Sequence, residues 1–289
     1  MNLKNDDLLF QYYLVVFLDI LGQRRSLREI KSFPTNETEK KNFIQNVRRT
    51  FDKVEKLRNE FQTFFESANM YKPNTALVSA EQKEEFIASQ KSEAYSYGFS
   101  DSIIIAVPLM NVDENCTAIN GVYSAMFATS SLGFLALANG IALRGGLDVG
   151  VATQIHDKEI YGPALERAYF LESQLAEYPR FVVGEELINY VRWVENQQHT
   201  TRFGLVAKEI ANFCKQMIIR DTDGRFMLDF MRKKLKESAD NTIDLEDIKL
   251  AREFIISQHN EYLNNGNQKL ASRYYRLLRY FNSREKLWE

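Results

Sequence analysis

The stretch YYLVVFLDILGQRRSL, residues 12–27, decides how the chain is read. Leu14 to Leu18 are all apolar and rich in Val and Phe, the pattern of a strand buried on both faces. Asp19 follows at once, then Ile20, Leu21 and Gly22. An ionised carboxylate is costly to bury unless it is paired, hydrogen-bonded or bound to a cation. Asp19 is therefore either a cap for the turn that follows or a ligand, and this stretch alone supports both readings. Gly22 to Arg25 is expected to turn the chain into a helix carrying Arg24, Arg25 and Arg28.

Outward from this strand, Phe43, Val47, Phe51, Val54, Leu57, Phe61 and Phe64 recur every three or four residues, which predicts a core-facing helix. Residues 67–91 are polar, with Pro73, Asn74 and the charged run EQKEE, and read as a long loop with some helix. Residues 94–98 and 103–107 read as two strands joined by the tight turn Phe99-Ser100-Asp101-Ser102. An apolar helix is expected over 117–140; Asn120, Ser124, Thr129, Ser130, Ser131 and Asn139 interrupt it, so it reads as buried in the fold rather than as a membrane span.

IALRGGLDVGV, residues 141–151, reads as a strand whose glycines mark a bulge or a close approach. A short strand at 158–161 leads to Gly162-Pro163, which opens the helix ALERAYFLESQLA. A strand at 180–183, a helix from Glu185 to about Val194, and a hairpin around Asp221-Thr222-Asp223-Gly224 follow. From about residue 236 the chain is charged amphipathic helix, read as a C-terminal extension (236–289) to a main domain (1–235).

Net charge is -2, without the basic excess that drives phosphate-backbone binding, so nucleic acid is a poor fit as partner. Cys116 and Cys214 stand far apart without CxxC spacing, and His156, His199 and His259 are scattered. That argues against disulfide and thiolate-zinc frameworks and leaves an oxygen-ligated cation as the accessible metal chemistry. The N-terminal MNLKNDDLLF has acids where a signal peptide has a basic region, so a cytoplasmic protein is expected.

If the hairpin pairs beside the first strand, Asp19 and Asp101 meet at one end of the sheet. Two carboxylates and the Ile20 carbonyl would then suit Mg²⁺ or Mn²⁺. The backbone N–H groups of Leu21, Gly22 and Gln23 would face a bound phosphate.

The order of these elements resembles the catalytic domain of class III nucleotidyl cyclases. FLDILG (17–22), FSDSIIIAVP (99–108), LRGGLDVGV (143–151), YGPALERAYFLES (161–173) and YPRFVV (178–183) resemble more closely the bacterial pyrimidine nucleotide cyclases of the Pycsar anti-phage system, over residues 12–235. The resemblance implies an α+β, ferredoxin-like sheet with helices on one side. It also implies a head-to-tail homodimer with composite active sites, and two Mn²⁺ per site, with Mg²⁺ as the alternative. The metal positions fall on Asp19, the carbonyl of Ile20, and Asp101.

The departures are informative. The base-reading Lys of adenylate cyclases falls on Tyr97, their second base-reading acid on Glu159, and their transition-state Asn and Arg on Glu166 and Phe170. Arg167 is then the candidate for stabilising charge on the α-phosphoryl group, ahead of Arg144 and Arg180, which have the alternative of pairing with carboxylates. The activity implied is cyclisation of UTP, with CTP second, to a 3′,5′-cyclic nucleotide that activates a separate effector. The rival expectation is a catalytically silent cyclase-like module that binds a nucleotide or a partner.

Overall fold

The first strand, β1 (Gln11–Ile20), is buried from Tyr13 to Ile20 and lies at the centre of the sheet. Its side chains alternate between two hydrophobic clusters. Leu14, Val16, Leu18 and Ile20 enter the main core, while Tyr13, Val15 and Phe17 enter a smaller one on the opposite face. Two covered faces explain the unbroken apolar run, and the alternation puts Asp19 on the Phe17 face.

A computed structural model describes residues 10–22, 33–69, 81, 92–109, 119–155, 158–198, 202–232 and 244–284. Gln23, the helix expected around Arg24 to Arg28, most of the 67–91 loop, and Cys116, His156 and His199 lie outside the described residues. The remaining strands are β2 (Tyr95–Phe99), β3 (Ser102–Pro108), β4 (Leu143–Ile155), β5 (Glu159–Tyr161), β6 (Phe181–Val183), β7 (Ile218–Arg220) and β8 (Phe226–Leu228). The helices are α1 (Glu37–Asn69), α2 (Ile119–Ala138), α3 (Pro163–Phe170), α4 (Glu185–Asn196), α5 (Arg202–Gln216), α6 (Leu245–Asn264) and α7 (Gln268–Arg284). The class is α+β.

The strands run in the order β2-β3-β1-β4-β6-β8-β7, with β5 paired to the far end of β4. Every described pairing is antiparallel except β4 with β6. The first half follows a β-α-β-β-α-β path, with α1 and α2 each linking strands that have one other strand between them. Antiparallel β1 and β3 place Asp19 opposite Ser102, and β1 and β4 place it opposite Arg144.

The helix α2 is long and apolar enough to cross a membrane, yet almost all of it is buried inside the fold. Apolar residues of α1, α2, α4, α5, α6 and α7 join the same cluster as the even face of β1. The two C-terminal helices thus pack into the main core, where Phe281 stacks on Phe134 and Tyr280 lies against Phe230. Helix α5 is not among the elements singled out from the sequence, although Val206, Ile210 and Cys214 recur at helical spacing and all three are buried.

The expectation of helices on one side needs correction, because α3 covers the other face with Ala164 and Ala168. The odd positions of β1 are apolar too and require a lid. Close packing there accounts for two glycines of β4: a Cβ on Gly146 would lie 2.3 Å from the Ala168 carbonyl, and one on Gly150 would meet the Arg167 guanidinium at 2.0 Å. After Phe170 the helix widens into a single π turn, Leu171–Leu175, closed by the Ala176 N–H donating to the Leu171 carbonyl at 2.8 Å.

Candidate functional site

Asp19 is 6% exposed. Its Oδ2 lies 3.5 Å from Nη2 of Arg144, its cross-strand neighbour. Arg144 is held more firmly from its other side, where Nε donates to Oε1 of Glu172 at 2.6 Å. Glu172 is itself 2% exposed and reaches this position because the π turn brings it over β4. Sequence reasoning had Arg144 paired with a carboxylate as an alternative but did not single out Glu172. The available signal was an acid within the otherwise apolar surroundings of FLES.

Asp101 sits in the two-residue turn between β2 and β3, next to Ser102 and hence beside the end of β1. Neighbouring strands lie about 4.8 Å apart, so the backbones bearing the two acids are adjacent. Asp101 is 7% exposed and its Oδ2 is buried without a hydrogen-bond partner. Leaving a buried acceptor unmatched costs about 1–3 kcal/mol, and more for a charged one. The turn holds Ser100 at φ 57°, the left-handed region that a residue other than glycine seldom adopts.

Asp19 and Glu172, both buried, pair with the guanidinium of Arg144, and Asp101 is buried in the turn beside Asp19. The orphaned Asp101 oxygen next to a second carboxylate fits a divalent cation. Among the described residues, no group of three or more His, Cys, Asp or Glu side chains is arranged to hold a metal, so protein donors to a cation here would be limited to the two Asp residues and a backbone carbonyl. Ile20 is the last residue of β1, paired with Leu143.

The phosphate-facing N–H groups need correction in part. The Leu21 N–H donates to the Ala142 carbonyl at 2.9 Å, so it is committed to tying the end of β1 to the start of β4. Gly22, at φ +86°, and Leu21 instead line a cavity of about 280 Å³ on the helical side with Thr50, Phe254, Tyr262 and Tyr274.

Across the second face, Tyr97 pairs with Ile104, which pairs with Phe17. Its hydroxyl accepts a hydrogen bond from Gln154 Nε2 at 2.6 Å, so the far end of β4 curls over β2. Beside it a cleft of about 730 Å³, mostly apolar, is lined by Phe17, Ile104, Tyr161, Leu165, Glu166 and Tyr169. That volume is within the roughly 300–1,000 Å³ of small-molecule sites. Glu159 is exposed on β5, two residues before Tyr161.

Arg167 is already engaged. Its Nη2 donates to the Val149 carbonyl at 2.8 Å, and its Nε lies 3.5 Å from Asp148 Oδ2. Asp148 pairs with Val15, four residues before Asp19, so along the strand Arg167 anchors about 13 Å from the acid pair. Asp148 was not singled out in the sequence, though it too is an acid in an apolar strand. Burial pushes its carboxyl up, against the N–H groups of Val149 and Leu187, both donating at 2.9 Å, and the Arg167 charge.

Arg180 is wholly buried and belongs to a different cluster, where it pairs with Asp221 and Asp223 and donates to the Leu175 carbonyl at 2.8 Å. Its alternative reading as an ion-pair residue matches this geometry.

No family model matches the chain, and no curated protein matches it in sequence.

Proposed function

We propose that the chain is a divergent nucleotidyl cyclase of the class III type that converts UTP, or secondarily CTP, into its 3′,5′-cyclic monophosphate and pyrophosphate. The observation that carries this is the buried Asp101 carboxylate, one oxygen unpartnered, beside Asp19 at the end of the central strand. The β-α-β-β-α-β path with strand order β4-β1-β3-β2 supports a ferredoxin-like cyclase fold.

Asp19, Asp101 and the Ile20 carbonyl would hold Mn²⁺ or Mg²⁺. The chemistry a cation bound there would supply is charge neutralisation of the triphosphate and a lowered pKa for the ribose 3′-hydroxyl. The protein's own part is positioning. Arg144, fixed by Glu172, steadies Asp19; the apolar cleft by Tyr97 takes the base and excludes water. The 3′-oxygen attacks the α-phosphorus in line, forming one P–O bond as the bond to pyrophosphate breaks. Since Arg167 lies well away from Asp19 within one chain, its role on the α-phosphoryl group requires a second protomer, in a head-to-tail homodimer with composite sites. The cyclic product would act on a separate effector in anti-phage defence, as the resemblance implies.

One observation favours a second reading, a silent nucleotide-binding module. Glu166 and Phe170 stand where cyclases use Asn and Arg, and Arg167 is bound to Asp148 and Val149.

The test is incubation of the full chain with ATP, GTP, CTP and UTP, each with Mn²⁺, and mass spectrometry of the products. A cyclic pyrimidine nucleotide that disappears in Asp19→Ala and Asp101→Ala is the expected result. Nucleotide binding without any cyclic product would select the silent module.

A further inference from the structure

A second polar cavity lies at the opposite edge of the molecule, between β7 and α7. It measures about 210 Å³ and is lined by Arg220, Arg276, Arg279 and Arg284, with Tyr178 and Asp221 among the remaining wall residues. β7 is four strands from β1, so the cavity is roughly 19 Å across the sheet from the strand bearing Asp19.

What matters is which hydrogen-bonding capacity remains unused. Asp221 is consumed: its Oδ2 accepts from Tyr178 and Arg180, and its Oδ1 from the Thr222 N–H. The Tyr178 and Tyr280 hydroxyls are spent as donors on Asp221 and Asp229. Arg284 pairs with Asp229 at 3.0 Å, and Arg276 with Glu177 at 2.5 Å. Arg220 lies over the Phe226 ring, and neither it nor the exposed Arg279 pairs with a carboxylate among the described residues. The Tyr178 ring is flanked by two guanidiniums, Arg180 at 4.7 Å and Arg276 at 4.8 Å, whose charges are already met by Asp221, Asp223 and Glu177. The open groups are thus the guanidinium donors of Arg220 and Arg279, which match a ligand that only accepts and carries more than one negative charge.

We propose that this cavity binds a phosphate-class oxyanion, free or as the terminal group of a small phosphoester. Its volume is below the roughly 300 Å³ at which pockets take drug-sized ligands, which suits a phosphoryl group with little attached. Arg220 and Arg279 are the recognising residues, and Arg276 and Arg284 shape the walls. The proposal stands independently of any activity at Asp19.

The experiment is calorimetric titration of the full chain with inorganic phosphate, pyrophosphate and ribose 5-phosphate, at constant ionic strength set with chloride. Saturable 1:1 binding of at least one of them is expected, and the tightest of the three identifies the source. In the double variant Arg220→Ala/Arg279→Ala, binding should weaken at least tenfold, while Arg192→Ala, an exposed arginine on α4, binds as the parent does. Circular dichroism confirms that the double variant is folded, which is expected because neither side chain holds a carboxylate. Absence of saturable binding by all three anions, or unchanged binding in the double variant, would overturn the proposal.

Discussion

Arg144 and Arg180 are both withdrawn from solvent among carboxylates, and the two places differ in whether a buried acid beside them is left with an unpartnered oxygen. Around Arg180, arginines match or outnumber acids: Asp221 and Asp223 are bonded to it, Arg225 pairs with Asp223 at 2.9 Å, and Arg276 adds a further contact at 3.4 Å. Beside Arg144, Asp19 and Glu172 pair with its guanidinium, while in the turn next to Asp19 one buried Asp101 oxygen goes unmatched. A buried charge kept for structure is fully compensated, whereas one kept for a ligand is left short until the ligand arrives. The contrast is open to four tests.

The largest effect is expected at Arg180. Arg180→Ala strands Asp221 and Asp223 beside Tyr178 and should cost about 3–5 kcal/mol in urea unfolding, the usual loss when one partner of a buried pair is removed. A loss below about 1 kcal/mol would class it with surface pairs.

Acid should next expose the same cluster. Burial raises the Asp223 carboxyl, but hydrogen bonds from Arg180 and Arg225 outweigh it and hold the group well below its ordinary 3.8. The Arg276 hydrogen bond lowers Glu177 from its ordinary 4.5. Both folded values lie below the unfolded ones, so the stabilisation is complete above those ordinary values and is lost as pH falls through the folded ones. The difference in urea midpoint between the parent and Arg276→Ala, in which the opposite-sense contribution of the raised Asp148 carboxyl cancels, should be flat from neutral pH to about 5 and shrink below about 4. An unchanged slope in that variant would remove Glu177 from the account.

Tyr97→Phe deletes the bond from Gln154 and should cost about 0.5–1.5 kcal/mol. On the proposed function it changes the ratio of UTP to CTP turnover more than it changes Mn²⁺ dependence, and steady-state rates at varied metal would show which moves. The smallest loss of stability is expected where the chemical effect is greatest. Asp101→Asn removes a buried charge whose Oδ2 has no partner, so unfolding should become no easier, and harder by up to about 1–3 kcal/mol, while on the proposed function cyclic product vanishes. A large destabilisation would mean that Asp101 is a structural acid, and would dissolve the contrast with Arg180.

Much of this fold is legible in the sequence because its elements carry unambiguous local signals. The apolar run before Asp19 and the Gly162-Pro163 helix start appear where the patterning puts them. So does the Phe99-Ser100-Asp101-Ser102 turn. The adjacency of Asp19 and Asp101 required only that the hairpin pair with β1. What stayed hidden depends on contacts distant in sequence: Glu172 meets Arg144 across 28 residues, and Tyr97 meets Gln154 across 57. The covering of the second face by α3 was equally hidden, since an eight-residue helix with two buried alanines does not announce which side of a sheet it takes. Leu21 shows the limit from the other direction, because an N–H at a strand end reads as available until its partner, Ala142, is seen.

The π turn at Leu171–Leu175 has a consequence for length variation. A turn closed i to i+5 accommodates one residue more than an α-helix would, and successive helical residues are rotated by about 100°. Deleting a single residue there would let the backbone relax to regular α-helix at little cost, yet would swing Glu172 or its successors to another azimuth relative to Arg144. The chain would keep its shape and lose the anchor behind Asp19, so this short segment should tolerate substitution far better than it tolerates a gap.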